Sequence, residues 1–180
     1  ENLRRLRDLD YLNLALNNIT EISGLERNEK LRKLDLTVNF IDLDGLLTIE
    51  RLRVNHQLEE LYLVGNPCAE FQGCRLYVIG TLPQLTRLDG TEVTASERIQ
   101  AAQQLPEIRA RLVVAAKERV RARGGDPTLV GAELVPDQEV NSDGEEELYG
   151  WSPQIRTADY KREERKKEKE KEEEEHSPMA

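Results

Sequence analysis

Leu9–Ile19, with the sequence LDYLNLALNNI, and Leu31–Ile41, with the sequence LRKLDLTVNFI, are two copies of one pattern. Leucine, asparagine and isoleucine recur at matching positions, and each residue of the second copy lies 22 positions after its counterpart in the first. A third copy, LEELYLVGN, begins at Leu58, 27 residues after the second. Unrelated amphipathic segments would not share so many positions at one offset, so these stretches are repeats of one structural unit.

Each copy predicts a short β-strand followed by a turn. The leucines alternate with polar residues, so they point into the core while the residues between them point to the other side of the sheet. Asparagine suits the turn because its amide bonds nearby backbone groups. The spacing is that of the leucine-rich repeat. One repeat cannot bury its leucines alone, so we expect an α/β leucine-rich-repeat solenoid of short repeats with a parallel sheet on its concave face.

The sequence also marks the two ends of the array. Leu3 lies 22 residues before Leu25, so we expect the chain to begin inside a preceding repeat and to be a fragment of a longer protein. The wider spacing before the third copy predicts an insertion and a short helix on the convex side. Leu82–Gly90, LPQLTRLDG, starts like a fourth repeat and stops early, as terminal repeats do. Residues 1–93 are therefore predicted to form the repeats and their C-terminal cap.

Residues 94–125 are predicted to form a basic amphipathic helix. Thr94 and Glu97 have the spacing of a capping box, which marks a helix start, and Pro106 is expected to kink or restart the helix. Six basic and two acidic residues between positions 105 and 125 give this part a net charge of +4. Two interpretations stay open: the helix binds a partner or a membrane surface, or it packs on the last repeat with its charges in solvent.

The rest of the chain predicts a tail without a core. Residues 126–158 are expected to be an acidic, disordered linker, and residues 159–180 a single charged helix with a terminal tail. Within the linker, Tyr149, Trp151 and Pro153 form an aromatic island that is either a short linear docking motif or incidental. Ser142 precedes a run of acids and is a candidate phosphosite.

No residue set in the sequence predicts catalysis or metal binding. His56 and His176 are far apart, and the spacing of Cys68 and Cys74 matches neither a zinc pair nor a redox motif, which favours reduced structural thiols. We therefore expect a non-enzymatic protein without a cofactor. The net charge of −9 argues against general nucleic-acid binding. There is no membrane-spanning apolar run and no signal-peptide pattern, so the cytosol or nucleus is the expected location.

The concave face is the predicted partner-binding site. The residues between the leucines form rows across the strands, and aromatic and charged side chains of this kind are common at protein interfaces. An alternative is that neighbouring strands simply pair their charges with each other. The first row contains Tyr11, Lys33, Glu60 and Arg87, and the second contains Asn13, Asp35, Tyr62 and Asp89.

Several phrases resemble one family more closely than they resemble leucine-rich repeats in general. These are the two copies quoted above, together with Gly65–Cys68 (GNPC), Thr81–Gly90 (TLPQLTRLDG) and Ser96–Ile99 (SERI). They closely resemble the tilB/seahorse-type leucine-rich-repeat proteins, which are dynein axonemal assembly factors. The resemblance is dense over residues 1–105 and thinner from Trp151 to Lys171.

The resemblance implies a co-chaperone-like adaptor that helps to preassemble dynein arms in the cytoplasm for motile cilia and flagella. It implies protein partners: other assembly factors such as a MYND zinc-finger protein, chaperone machinery and dynein chains. It also implies that the first repeats and a C-terminal CS-like domain are missing here. A location at the base of the cilium or flagellum is a further expectation. The alternative function is a leucine-rich-repeat scaffold subunit of a stable axonemal, spliceosomal or phosphatase-regulatory complex.

Overall fold

The computed structural model describes residue 3 and residues 6–131. Within this part, each leucine-rich phrase forms a three-residue strand, because alternate leucines turn inward and the asparagine that follows ends the extended segment. A two-residue strand follows in the cap, and a last strand folds back on it as an antiparallel edge. The strands are β1 (Tyr11–Asn13), β2 (Lys33–Asp35), β3 (Glu60–Tyr62), β4 (Arg87–Leu88) and β5 (Thr91–Glu92).

The sheet is ordered as the repeats occur in the chain, β1-β2-β3-β4-β5, and the first four strands are parallel. Leu12, Leu34, Leu61 and Leu88 face one another in register. The last three are buried, whereas Leu12 in the first strand is only half-buried. The predicted α/β leucine-rich-repeat solenoid with a parallel sheet is therefore confirmed.

The convex side is built from short helical segments. The wider second repeat supplies α1 (Leu43–Leu47) and a 3-10 helix at Thr48–Val54, and the third supplies a 3-10 helix at Pro67–Glu70 and α2 (Cys74–Thr81). Asp42 caps α1 by accepting a hydrogen bond from the backbone of Leu43. These segments close the core over the leucines of the sheet.

One long helix, α3 (Ala95–Ala122), lies across α2 and α1. It begins at a capping box in which the Thr94 hydroxyl accepts from the Glu97 backbone and the Glu97 carboxylate accepts from the Thr94 backbone. The expectation that Pro106 restarts the helix is wrong, because α3 runs through it without a break. A packed apolar face offsets the one hydrogen bond that proline removes. That face consists of Ala101, Ile108, Leu112 and Ala116, all buried.

Glycine allows α2 and α3 to approach closely. A Cβ atom at Gly80 would lie 3.1 Å from a methyl group of Leu105 and 3.4 Å from the backbone oxygen of Ala101. Both distances are at or below ordinary van der Waals contact, so a larger residue at Gly80 would push the two helices apart.

Two columns of amide side chains tie consecutive repeats together. In the first column, Asn39 donates to the carbonyls of Leu14 and Leu36, and Asn66 donates to those of Leu36 and Leu63. In return, the two amide oxygens accept from the backbone of Ile19 and Ile41. These bonds provide partners for backbone groups in the turns after the strands, which the hydrogen bonds of the sheet do not pair.

A second amide column was not predicted from the sequence. Asn28 and Asn55 are fully buried. Asn28 donates to the carbonyls of Leu3 and Leu6, and Asn55 to those of Leu25 and Asn28. Gln84 then donates to Leu52 and Asn55. The sequence signal that could have predicted this column is the recurrence of an amide residue at positions 28, 55 and 84.

Four of the sequence predictions lie outside the described residues. These are the candidate phosphosite Ser142, the aromatic island of Tyr149, Trp151 and Pro153, the linker beyond residue 131, and the charged helix of residues 159–180.

Candidate partner-binding surface

The strand register sets the first row of the concave face. Tyr11 lies opposite Lys33, Lys33 opposite Glu60, and Glu60 opposite Arg87. Neighbouring parallel strands are about 4.8 Å apart, so these side chains reach one another directly. The row therefore forms a continuous band of aromatic and charged groups across the solenoid.

Lys33 lies between two aromatic rings. Its Nζ atom is 5.2 Å from the centroid of the Tyr11 ring and 5.1 Å from that of Tyr62, so both rings attract the ammonium group. Partial burial lowers the pKa of Lys33, but the hydrogen bond to Glu60 and the nearby tyrosines outweigh it, and the pKa lies above its ordinary value. Lys33 is therefore a fixed positive charge at neutral pH.

Glu60 joins the row into a network. Its two carboxylate oxygens lie 3.4 Å from Lys33 Nζ and 3.4 Å from Arg87 Nη1. The Tyr62 hydroxyl donates to the same carboxylate at 3.4 Å. The charges of neighbouring strands thus do pair with each other, as the alternative interpretation proposed. These partners also hold each side chain in place, which reduces the entropy lost if a partner binds.

The second row contains side chains that bond the backbone at the ends of the strands. Asn13 accepts from the backbone of Ala15, and Asp35 accepts from that of Thr37, each at 2.9 Å. Asp35 has no ion pair among the residues that the structure describes. Its charge is therefore available on the concave side.

Asp89 follows β4 and adopts a left-handed backbone conformation, with φ at 54°. Its carboxylate accepts from the backbone of Leu63 at 2.6 Å and of Val64 at 3.1 Å, and its own N–H donates to Leu61. Asp89 therefore caps the open hydrogen-bonding edge of the third repeat, and its exposed side lies at the rim of the concave face.

The predicted site residues within the described part thus come together on one surface, and contact with a partner stays a prediction for all eight. The surface offers two tyrosine rings, a lysine held between them, an arginine and an unpaired aspartate. It presents no nucleophile next to a base. Among residues 3 and 6–131, no group of three or more His, Cys, Asp or Glu side chains is placed to hold a metal ion.

The arginines of residues 94–125 were expected to bind a partner or to lie in solvent, but three of them form ion pairs with the repeats. Two more, Arg98 and Arg111, donate to backbone carbonyls of the repeats and their cap. Arg109 pairs with Glu50 at 2.9 Å, and Arg119 pairs with Asp42 at 2.6 Å. Arg123 pairs with both Asp42 and Asp44. Asp42 and Glu50 are largely buried, with 13% and 15% of their side chains exposed. No local sequence pattern indicated these pairs, whose partners are 59–81 residues apart.

The cap is joined to the start of α3 by Arg75. Its guanidinium donates to Glu97 at 2.7 Å and to the carbonyls of Leu88 and Glu92. The hydrogen bond from Arg75 and the capping-box bond from Thr94 lower the pKa of Glu97 to about 2. Sequence analysis singled out Glu97 as a capping residue but did not identify Arg75, which anchors the cap.

The two cysteines are buried and unpaired by disulfide, in agreement with structural thiols. A hydrogen bond with Cys74 and burial raise the pKa of the Cys68 thiol, so it remains protonated. In the part of the chain that the structure describes, no helix is long and apolar enough to cross a membrane.

Comparison with known proteins identifies relatives that match more than half of this chain. The chain is 44% identical over 113 residues to a dynein axonemal assembly factor 11 from Danio rerio, a match that covers 63% of this chain and 25% of the relative. It is 49% identical over 113 residues to the protein tilB of Drosophila melanogaster, covering 63% and 28%. It is 50% identical over 103 residues to a dynein axonemal assembly factor 11 from Homo sapiens, covering 57% and 22%.

Over 103–113 residues, the chain is homologous to the tilB and dynein axonemal assembly factor 11 proteins. The family resemblance seen in the sequence phrases is thereby confirmed. The chain spans about a quarter of the length of the curated relatives that it matches. No protein-family model matches it.

Solved structures with related folds were also found. The Mex67:Mtr2 subunits of Chaetomium match at 25% identity with a TM-score of 0.44, covering 59% of this chain and 69% of theirs. The Drosophila melanogaster SNF/U2A′ complex matches at 22% identity with a TM-score of 0.45, covering 62% and 80%. At such scores the two likenesses add no argument to the fold described above.

Proposed function

We propose that this chain is a non-enzymatic, co-chaperone-like adaptor for the cytoplasmic preassembly of axonemal dynein arms, and that it serves motile cilia or flagella. The observation that carries the proposal is the 44–50% identity, over 103–113 residues of this chain, to proteins named dynein axonemal assembly factor 11 and tilB. Under this proposal the protein acts by binding other proteins, and it works in the cytoplasm and at the base of the cilium or flagellum.

The geometry of the concave face supports an adaptor. Its tyrosines are large, rigid groups that give contact area at a low entropy cost, and Tyr11 is 46% exposed. Lys33, Glu60 and Arg87 are already paired, so a partner meets an ordered surface. The proposed partners are other assembly factors, including a MYND zinc-finger protein, together with chaperone machinery and dynein chains.

A rescue experiment tests the proposal. Cells with motile cilia that lack the gene are given the wild-type protein, a concave-face variant or a control variant. The concave-face variant is Tyr11→Ser with Arg87→Ser, and the control is Val54→Ser with Arg121→Ser. The control changes one exposed apolar residue and one exposed arginine on other surfaces.

Electron microscopy of axoneme cross-sections then counts the dynein arms. We expect both arms to be absent without the gene, restored by the wild type and the control, and reduced by the concave-face variant. Intact arms in the cells that lack the gene would refute the proposed role. Fractionation distinguishes it from a scaffold subunit, because an adaptor stays in the cell-body cytosol while a subunit purifies with the axoneme or the nuclei.

A further inference from the structure

A row of exposed apolar side chains follows the carboxyl ends of the strands, outside the concave face. We call these four residues the apolar ridge. Their exposed fractions range from 46% to 79%, which is unusual for large apolar side chains that lie side by side. The ridge consists of Leu16 (79% exposed), Val38 (46%), Phe40 (59%) and Val64 (50%).

Backbone hydrogen bonds fix the ridge as a continuous row. The N–H of Leu16 donates to Thr37 at 2.9 Å, and the N–H of Val38 donates to Val64 at 2.8 Å. Val38 also packs closely on the next repeat, since a Cβ atom at Gly65 would lie 2.9 Å from its Cγ2 atom. Leu16 and Val38 thus occupy equivalent positions of neighbouring repeats, and Val64 lies one residue before the third equivalent position, Gly65.

The backbone of the ridge is strained. Leu16 has φ at 58° and Val38 at 53°, a left-handed conformation that disfavours side chains branched or bulky near the backbone. The third repeat shows the relaxed solution, because glycine occupies the equivalent position with φ at 76° at Gly65. Both side chains are largely exposed, so little burial in the core offsets the cost of their backbone strain. Strain of this kind is typical of residues kept for binding.

The loops that carry the ridge contain charged residues of one sign only. The loops that follow the strands, residues 15–21, 37–44 and 64–73, contain acidic residues and no lysine or arginine. Asp35 accepts from the backbone of Thr37 and Asp89 from that of Val64, so both carboxylates adjoin the ridge, and neither has an ion pair among the residues described. The opposite edge differs, since the loop before β2 carries Arg27, Lys30 and Arg32.

The same loops already hold one basic helix within the chain. Arg119 of α3 and Arg123, which follows its last turn, pair with Asp42 and Asp44, two and four residues after Phe40 in the chain. An acidic loop next to apolar side chains therefore binds arginines of an amphipathic helix in this structure. We propose that the apolar ridge docks a segment of a protein partner whose apolar side chains are flanked by lysine or arginine. This proposal does not depend on the role in dynein-arm assembly, because it concerns the purified chain alone.

A selection with the full 180-residue chain tests the proposal. A phage-displayed library of random 16-residue peptides is selected on the wild type, and peptides that also bind the Leu16→Asn/Val38→Asn variant are removed. Asparagine tolerates left-handed backbone, so this variant is expected to keep or raise the unfolding midpoint while losing the apolar surface. A second variant, Phe40→Ser with Val64→Thr, changes only ridge residues outside the left-handed positions.

Binding of the enriched peptides is then measured by fluorescence anisotropy. We expect apolar peptides with lysine or arginine, bound at least tenfold more weakly by both ridge variants and within twofold by the control Val54→Asn, which alters an equally exposed valine elsewhere. Asp35→Asn with Asp89→Asn keeps the backbone bonds, as Asn13 does in β1, and should weaken binding at least threefold and reduce its salt dependence. Glu29→Gln is the matched acidic control.

Three results would overturn the proposal. The first is that no peptides depend on the ridge. The second is that the enriched peptides are acidic or lack basic residues. The third is a wild type that sediments as a dimer while both ridge variants are monomers, since the ridge would then be an interface between two copies of this chain.

Discussion

The two sides of the solenoid use charge in different ways. On the concave face, Lys33, Glu60 and Arg87 pair with immediate neighbours, one strand apart in the register. On the convex side, Arg109 and Arg119 of α3 pair with Glu50 and Asp42, which are far away in sequence and largely buried. The concave pairs lie at the surface, where a binding partner can replace one member of a pair, so they suit binding. The convex pairs hold one element onto another, so they suit stability.

The largest expected effect comes from breaking the contact of α3 with the repeats. Leu112 is fully buried at this contact, so Leu112→Ala should lower the free energy of unfolding by about 2–4 kcal/mol through lost burial and a cavity. Val114→Ala on the exposed side of the same helix should change it by less than about 0.5 kcal/mol. Urea unfolding followed by circular dichroism measures both. Equal small effects would mean that α3 is not part of the folded unit.

A second test compares the stability contributed by two asparagines at equivalent positions of the repeats, the buried Asn66 and the exposed Asn17. Asn66→Ala removes bonds to Leu36, Leu63 and Ile41 and should cost about 2 kcal/mol, because it leaves buried backbone groups unpaired. Asn17 bonds only to exposed carbonyls of its own repeat, so Asn17→Ala should cost about 0.5 kcal/mol or less. The same urea experiment compares them. Similar losses would show that burial does not set the strength of these bonds.

The cap gives a pH-dependent effect. Because the pKa of Glu97 falls from 4.5 to about 2 on folding, the ionised carboxylate stabilises the folded state above pH 4.5, and this contribution disappears as the pH falls towards 2. We expect about 1 kcal/mol, since the group lies near the surface. Glu97→Gln should be less stable than the wild type at pH 7, and the difference should shrink at pH 2.5. A difference that does not vary with pH would exclude the Arg75 pair as its source.

The convex ion pairs predict a salt effect. Asp42→Asn keeps the acceptor that caps α1 but removes the charge that binds Arg119 and Arg123, and it should cost about 1 kcal/mol at low ionic strength. Raising the salt concentration should narrow the difference from the wild type. Thermal unfolding at two salt concentrations measures this. Asp44→Asn, whose side chain is more exposed, serves as the control and should have the smaller effect.

The concave network should give the smallest change in stability. Glu60→Gln removes the charge shared by Lys33 and Arg87, and exposed pairs of this kind contribute only a few tenths of a kcal/mol each. We therefore expect a loss below about 1 kcal/mol in urea unfolding. A loss as large as that of Leu112→Ala would contradict the division between a binding face and a structural face.

The sequence predicted those parts of the molecule that follow from its repeat. Alternation of leucines places the strands, and the recurrence of the leucine phrase places Tyr11, Lys33, Glu60 and Arg87 in one row before any coordinates are seen. The capping box likewise marks the start of α3. Such features are local or periodic, so spacing alone determines them.

The contacts of α3 could not be predicted in this way. Neither Arg119 nor Asp42 belongs to a periodic pattern, and their pairing depends on where a 28-residue helix lies across the convex side. The amide column that includes Asn28 was not predicted for a related reason, because the carbonyls that Asn28 bonds lie 22 and 25 residues away in the sequence. The strain at Val38 was also not predicted, since valine is not a residue type that indicates a left-handed backbone.

The amide columns give the solenoid a direction. Asn39, Asn55 and Asn66 all reach towards the amino end, so each repeat completes the backbone bonding of the one before it. Unfolding a repeat at the carboxyl end would remove these donors from the preceding repeat, which is still folded and would keep unpaired carbonyls. Unfolding from the amino end would leave each amide with the carbonyls of its own repeat, which is the bonding that Asn17 has at the first repeat. We therefore expect that a pulling force unfolds the repeats more easily from the amino end than from the carboxyl end.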